Sequence, residues 1–201
     1  MSGWNRDSTM KKNQLITAIL DIELDMFTSV QAKETAGCQT HPDQFRLHRK
    51  AQFLSWSKDT LASYFKDLKQ AQLNDQNLMT FKYARMENLI PSRCKSSLVK
   101  KIVSIQLNWQ REMFNTFPAL MKNARPLEQF QDSVSQTSFE TYLSGELESY
   151  SQNTLQLLYR DIQGKLSREI NMAREIYENL VRACGYPSLA EAEKRLRKEK
   201  Q

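Results

Sequence analysis

The sequence predicts an all-α protein: a single-domain bundle of about six main helices with a short C-terminal helix. Gly and Pro number only five each among the 201 residues, and the long segments are rich in Leu, Gln, Lys, Glu, Ala, Met and Arg, which favour helix. In those segments the apolar residues recur at spacings of three and four. Because one domain typically spans roughly 100 to 200 residues, we expect one core, with residues 1–9 as an N-terminal arm and residues 188–201 as a charged tail helix.

The first two predicted helices follow the N-terminal arm. Ser8 or Thr9 can cap a helix from about Met10 to Lys33, because a hydroxyl at the cap position accepts from a free backbone amide of the first turn. The second helix is predicted from near Asp43 to about Leu73, and it is apolar on two sides, which is typical of a central helix. Ser57 either interrupts this helix or caps a new one within it.

The next two predicted helices end at prolines. The third opens at residue 74 or 75 and ends at Pro91, because the residue before a proline is pushed out of helical geometry. The fourth opens at Ser92 or Ser96 and stops at Phe117-Pro118. The segment that follows, residues 118–136, is irregular, and it is either a lid over a binding face or a connection.

Capping patterns delimit the last helices. Thr137 and Glu140 have the spacing of a capping box, and they open a fifth helix that extends to about residue 163. The sixth is predicted from Leu166 to Cys184, and Gly185 supplies the left-handed cap that ends it. A second capping box at residues 188–191 opens the tail helix. No internal repeat is visible in the sequence.

Composition and charge argue against several classes of protein. The net charge is +6, but the basic clusters are mixed with acids or lie at the chain ends, so nucleic-acid binding is an alternative that rests on net charge only. No apolar stretch approaches the about 18 residues that cross a bilayer, and the first residues lack the apolar region of a signal peptide. Three cysteines at wide spacing predict no disulfide framework and fit a reducing cytosol. We therefore expect a cytoplasmic protein that is not in a membrane.

The motifs of several enzyme classes are missing from the sequence. Two histidines, His41 and His48, are too few for a zinc site unless carboxylates join them, and Glu-x-x-His pairs of di-iron bundles do not occur. A phosphate-binding loop, a Gly-x-Ser-x-Gly motif and a Rossmann fingerprint are also absent. We predict no metal site, and the sequence identifies no cofactor.

Glu23 is the clearest anomaly in the predicted helices. It lies four residues after Ile19, three before Met26 and four before Phe27, so its neighbours on the helix face are apolar. A buried carboxylate must be paired, hydrogen-bonded, protonated or bound to a metal, because burying it bare costs many kcal/mol. Glu23 is therefore either half of a structural ion pair or part of a functional site.

Charged residues on three other predicted helices could meet Glu23. Arg49 shares a helix flank with aromatic residues, Lys82 lies between Leu78 and Leu89, and Glu146 lies among leucines and tyrosines. Charges surrounded by aromatics are typical of a ligand pocket between helices, and equally of a polar layer in a core. The candidate catalytic residues are Glu23 and Glu146. The candidate ligand-binding residues, of which the aromatic ones are as simply explained by the core, are Arg49, Trp56, Lys82, Tyr83 and Tyr150.

Four segments of the chain resemble a known family. They are ILDIELDMF (19–27), FLSWSKDTLASYFKDL (53–68), NLMTFKYARME (77–87) and TSFETYLSGELESYS (137–151). They are similar to an uncharacterised bacterial, Firmicute-type, all-helical family, a domain of unknown function, over about residues 15–193. The resemblance implies a cytosolic bacterial protein without an assigned activity, and relatives that accompany nucleotidyltransferase-like domains.

Two hypotheses on function follow. The first is an inter-helix polar pocket, formed by Glu23, Arg49, Lys82 and Glu146, that binds or transforms a small polar molecule. The second is a protein-interaction module, in which the charged tail helix from Ser188 docks to a partner or only solubilises the chain end. The family resemblance gives that second hypothesis a more specific form, an accessory module for a nucleotide-using enzyme.

Overall fold

The computed structural model describes residues 10–30, 42–91, 96–133 and 136–198. Within these ranges the chain forms α-helices, one 3-10 turn at Gln129–Gln131 and one isolated β-bridge, and it contains no β-strand. The predicted all-α fold class is confirmed. The ten helices of the described ranges are α1 (Lys12–Thr28), α2 (Pro42–Leu54), α3 (Lys58–Leu73), α4 (Leu78–Met86), α5 (Ser97–Thr116), α6 (Pro118–Met121), α7 (Phe139–Leu147), α8 (Gln152–Leu166), α9 (Met172–Ala183) and α10 (Leu189–Lys198).

Two of the predicted helices are each divided in the structure. Ser57 opens α3 as its N-cap, and its hydroxyl accepts from the Thr60 amide at 3.2 Å. Ser151 does the same for α8 through the Thr154 amide, also at 3.2 Å. The periodicity of apolar residues continues across both breaks, so the pattern alone predicted two long helices.

Several predicted helix ends shift by a few residues. Asn77, not residue 74 or 75, caps α4, and Ser96 caps α5. The capping box predicted at Thr137 is wrong: Ser138 is the cap of α7, while the Glu140 carboxylate accepts from the Gln129 amide at 2.7 Å. The predicted caps Ser8, Thr9 and Ser92, and the last residues of the predicted first helix, lie outside the described residues.

The C-terminal segments make contacts with the rest of the chain that the sequence did not predict. The predicted sixth helix begins later, at Met172, after the cap Asn171, and Gly185 follows its end with φ of 88°, as predicted. Residues 118–136 contain the short helix α6 and the 3-10 turn. The tail helix α10 packs on α6 and α9, and its buried Glu193 accepts from the Ala119 and Leu120 amides at 3.0 and 2.8 Å. The carboxylate thereby satisfies amides at the start of α6.

The helices form two similar sets of four. In the first set α1 packs on α2, α3 and α4; in the second α5 packs on α7, α8 and α9. The two sets contact each other where α3 packs against α8. In addition, α4, the last helix of the first set, packs on α7 of the second set, and α9, the last helix of the second set, packs on α2 of the first. One hydrophobic core runs through both sets. Among the described residues no helix is both long and apolar enough to cross a membrane.

A glycine lies at a close contact between α4 and α7. A Cβ atom at Gly145 of α7 would lie 3.1 Å from the backbone oxygen of Lys82 and 3.1 Å from a side-chain atom of Met86, both on α4. Glycine therefore allows α4 to approach α7 closely. This approach places the Lys82 side chain beside the next residue of α7, Glu146.

The helices α3 and α8 cap each other. Asp161 of α8 accepts from the Ser57 amide at 2.9 Å and from the Thr60 hydroxyl at 2.6 Å. Asp67 of α3 accepts from the Ser151 amide at 3.0 Å and from the Thr154 hydroxyl at 2.6 Å. Each carboxylate thus satisfies the first turn of the opposite helix.

We expect Asp67→Ala and Asp161→Ala each to lower the free energy of unfolding by about 1.5–3 kcal/mol, because each removes hydrogen bonds to a charged acceptor. Urea unfolding followed by circular dichroism measures the change. The control is Asp59→Ala, which removes an exposed ion pair with Arg160 and an acidic side chain in the first turn of α3, and which should cost at most about 1 kcal/mol. Losses at Asp67 and Asp161 no larger than that of the control would contradict the capping role.

Candidate functional site

Four charged side chains from four helices meet inside the bundle. They are Glu23 of α1, Arg49 of α2, Lys82 of α4 and Glu146 of α7, and none is more than 3% exposed. The predicted burial of Glu23 is confirmed, and the structure brings together the four charges that the first hypothesis combined. We call these four side chains the charge network.

Arg49 is the centre of the network. Its Nε donates to Glu23 Oε2 at 2.8 Å and its Nη2 to Glu23 Oε1 at 2.5 Å, a paired geometry that a planar guanidinium suits. Its Nη1 donates to Glu146 Oε1 at 2.8 Å. The guanidinium also lies 4.7 Å from the centre of the Phe53 ring. Arg49 therefore holds both carboxylates, one on each side.

Glu146 accepts from both cations of the network. Lys82 Nζ donates to its Oε2 at 2.7 Å, opposite the oxygen that Arg49 uses. Burial alone would raise the pKa of Glu146, but the positive charges of Arg49 and Lys82 hold it well below its ordinary value of 4.5. The same carboxylates raise the pKa of Arg49 against the effect of burial. Glu146 and Arg49 are thus ionised throughout the physiological pH range.

Two buried tyrosines complete the hydrogen bonding of the carboxylates. Tyr64 donates to Glu23 Oε1 and Tyr150 to Glu146 Oε1, each at 2.6 Å. Burial, together with the adjacent carboxylate, raises the pKa of both tyrosines well above 10, so both hydroxyls stay protonated and donate. Among the described residues no buried side-chain nitrogen or oxygen lacks a hydrogen-bond partner.

The remaining predicted aromatic residues lie near the network but contact it less directly. Trp56 packs edge-on against Tyr64 and Tyr150, with ring centres 5.9 and 6.0 Å apart. The half-buried Tyr83 stacks on Phe27, and its ring centre is 6.0 Å from Lys82 Nζ. A ligand-binding role for Trp56, Tyr83 or Tyr150 stays a prediction.

Two contacts of the network were missed in the sequence. Gln52 accepts from Arg49 Nη1 at 2.8 Å and donates to Glu146 Oε1 at 3.1 Å. The ring of Tyr142 lies 3.6 Å from Lys82 Nζ, and the exposed Arg125 lies 4.8 Å from the same ring. The available signal was the spacing: Gln52 follows Arg49 by three residues and Tyr142 precedes Glu146 by four, so each shares a helix face with a predicted site residue.

The accessible side of the network is defined by these two residues. Gln52 and Tyr142 are half-buried, whereas the four charges and both tyrosines that donate to them are buried. Tyr142 lies between the buried Lys82 and the exposed Arg125. The network is therefore closest to solvent at Gln52 and Tyr142.

Glu146, Tyr64 and Tyr150 are poorly suited to proton transfer at neutral pH. A carboxylate whose pKa is far below 7 is a weak base, and tyrosines with raised pKa values are weak acids at neutral pH. Fixed, oppositely charged groups in a water-poor interior are able to orient the polar groups of a molecule that contacts them. In the part of the chain that the structure describes, no group of three or more His, Cys, Asp or Glu residues could hold a metal ion.

These features define an all-α protein with a buried network of four charged side chains between its helices. The chain belongs to the family described as "Protein of unknown function (DUF4125)", whose model matches residues 13–194. The resemblance to a domain of unknown function is thereby confirmed. No curated protein and no solved structure matches the chain.

Proposed function

We propose that the protein binds a small polar molecule at the charge network. The observation that carries the proposal is the burial of four acidic and basic side chains, Glu23, Arg49, Lys82 and Glu146, together with two tyrosines. Buried ion pairs are weak stabilisers, because removing charges from water costs about as much as their attraction returns, and apolar replacements are often neutral or stabilising. Perturbed, buried titratable groups are concentrated at functional sites.

Lys82 is the group that a ligand would contact. Its ammonium carries three N–H donors, and among the described residues it makes one hydrogen bond, to Glu146, while the Tyr142 ring covers it. A rotation of the Tyr142 side chain would open the ammonium to an acceptor oxygen of a ligand. The exposed Arg125 on the outer face of the ring would favour a ligand with a carboxylate or another negatively charged group.

The test is recovery of a bound molecule. We expect mass spectrometry of the denatured, purified protein to detect a small molecule that is enriched over the level in a Lys82→Met variant. The matched control is Lys69→Met, an exposed lysine on α3, which should retain the molecule. Circular dichroism establishes that both variants are folded. Equal small-molecule content in wild type and folded Lys82→Met would reject the proposal.

The second candidate is a protein-interaction module. The tail helix does not support this candidate, because Leu189 and Ala192 of α10 are buried and the Glu193 carboxylate accepts from amides at the start of α6. The helix is thus docked on the chain itself. The specific observation that favours a partner is Phe130, which is 86% exposed on the 3-10 turn. If a partner binds there, Phe130→Ser should abolish its recovery in a pull-down; equal recovery would exclude this surface.

A further inference from the structure

Corresponding residues in the two sets of helices are separated by a constant number of residues in the sequence. Gln52 and Glu146 are 94 residues apart and hydrogen-bond to each other. The same spacing relates the two N-caps Ser57 and Ser151, and the mutual caps described above: Thr60 with Thr154, and Asp67 with Asp161. The segments S-K-D-T-L and F-K-D-L of α3 correspond to S-Q-N-T-L and Y-R-D-I of α8. This constant spacing corrects the expectation that the sequence contains no internal repeat.

Backbone details repeat at the same spacing. The Ser55 hydroxyl donates to the Gln52 carbonyl and the Ser149 hydroxyl to the Glu146 carbonyl, both at 2.6 Å. After α3 and after α8 one non-glycine residue is left-handed, Asp75 with φ of 51° and Glu169 with φ of 56°. Such residues are uncommon. Asn77 and Asn171 then cap α4 and α9.

The first helices of the two sets also correspond, at a constant spacing of their own. Six of the seven buried positions of α1 match buried positions of α5 that lie the same number of residues further along the chain. The pairs are Leu15 with Ile102, Ile16 with Val103, Ile19 with Gln106, Leu20 with Leu107, Glu23 with Gln110, and Met26 with Met113. Among the described residues of the first set, no helix corresponds to α6 or α10.

We infer that residues 12–86 and 97–183 are two copies of one four-helix unit, and that the charge network occupies one of two equivalent positions. At the counterpart position the charges are replaced. Glu23 corresponds to Gln110, Arg49 to Leu143, Tyr64 to Leu158, Lys82 to Ile176, and Glu146 to Gln52.

The counterpart closes the same helix junction with uncharged side chains. Leu143 and Leu158 are 5% and 1% exposed, and Gln110 is 8% exposed. The fold therefore forms this junction without a buried arginine or lysine. The inference rests on the proposed function in one respect, because it assigns the charges to the binding site and not to the fold. Each chain then has one binding site and one counterpart position that does not bind the ligand.

The experiment places the counterpart's residues in the network of the full-length chain. This variant, called the fourfold variant, combines Glu23→Gln, Arg49→Leu, Lys82→Ile and Glu146→Gln. Tyr64 and Tyr150 are kept as donors to the new amides. We expect a folded protein with a single cooperative transition and a Tm equal to or above that of wild type. A second variant with Arg49→Met and Lys82→Met in place of Leu and Ile fills the volume better. Loss of the folded state in both variants would overturn the inference.

The outcomes separate this inference from the proposed function. If the fourfold variant folds while wild type contains no bound molecule, the equivalence of the two units stands and the proposed function fails. If wild type binds a molecule while both charge-free variants are unfolded, the proposed function stands and the network is required by the fold. If the variant folds and has lost the molecule that wild type binds, both stand.

Discussion

Replacing Arg49 with methionine alone is expected to lower the free energy of unfolding by about 3–5 kcal/mol. The substitution keeps most of the side-chain volume but removes the cation between Glu23 and Glu146, which Arg49 holds at 2.5 to 2.8 Å. Glu23 is 0% exposed, and Tyr64 is its one other side-chain donor among the described residues. Breaking a buried pair is costly because the other charge stays buried without its partner.

Chemical denaturation of wild type and Arg49→Met measures this loss. Arg46→Met is the matched control: it lies on the same helix and pairs with Asp21, but both side chains are partly exposed, so the expected loss is at most about 1 kcal/mol. The fourfold variant should be more stable than Arg49→Met, since it removes the carboxylates together with the cations, and residues in one network are not additive. A loss at Arg49 comparable to that at Arg46 would contradict the central role of Arg49.

Acid is expected to destabilise the protein, and Glu146→Gln is expected to reduce that dependence. The pKa of Glu146 in the folded state lies well below its ordinary value of 4.5, so at acid pH the unfolded chain binds more protons than the folded one. The contribution of the ionised carboxylate is therefore fully present above pH 4.5. It is lost as the pH falls below that value toward the lowered pKa.

Urea unfolding at pH 7, 5, 4 and 3 compares the two proteins. At pH 7 the variant should be less stable, because Lys82 loses the carboxylate at 2.7 Å and stays buried. Between pH 5 and pH 3 its free energy of unfolding should fall less than that of wild type. Asp132 and Glu193, whose pKa values are also lowered, are present in both proteins, so the difference reports Glu146. Parallel pH dependences would show that Glu146 does not titrate as the geometry requires.

The fold class and the members of the charge network could be predicted because both are periodic signals. Glu23 interrupts an apolar face whose other members are known from their spacing, and burial of that face forces the carboxylate inward. Arg49, Lys82 and Glu146 were found by the same test on their own helices. Which of their atoms meet depends on helix crossing and on the close approach at Gly145, and neither is a local property of sequence.

Helix ends were harder to predict because distant side chains decide them. The break before α3 is stabilised by Asp161, a carboxylate more than 100 residues further along the chain. The sequence around the break does not include Asp161, so a local pattern cannot reveal this contact. The repeat was hidden for a different reason. Its identical residues are concentrated in α3 and α8, while the charges of the network differ from their counterparts at the positions that attract attention in the first set.

The contacts of α4 with α7 and of α9 with α2, which join the two sets, have a consequence for folding kinetics. Lys82 of α4 meets Glu146 of α7 across 64 residues, and Asn179 of α9 meets the Ala51 carbonyl of α2 across 128 residues. Contacts of such sequence separation form only after long loops have closed, which slows folding relative to bundles held by neighbouring helices. During synthesis Glu23 and Arg49 can pair once α1 and α2 have formed, but Lys82 of α4 gains its carboxylate partner in the network only after α7 has been made.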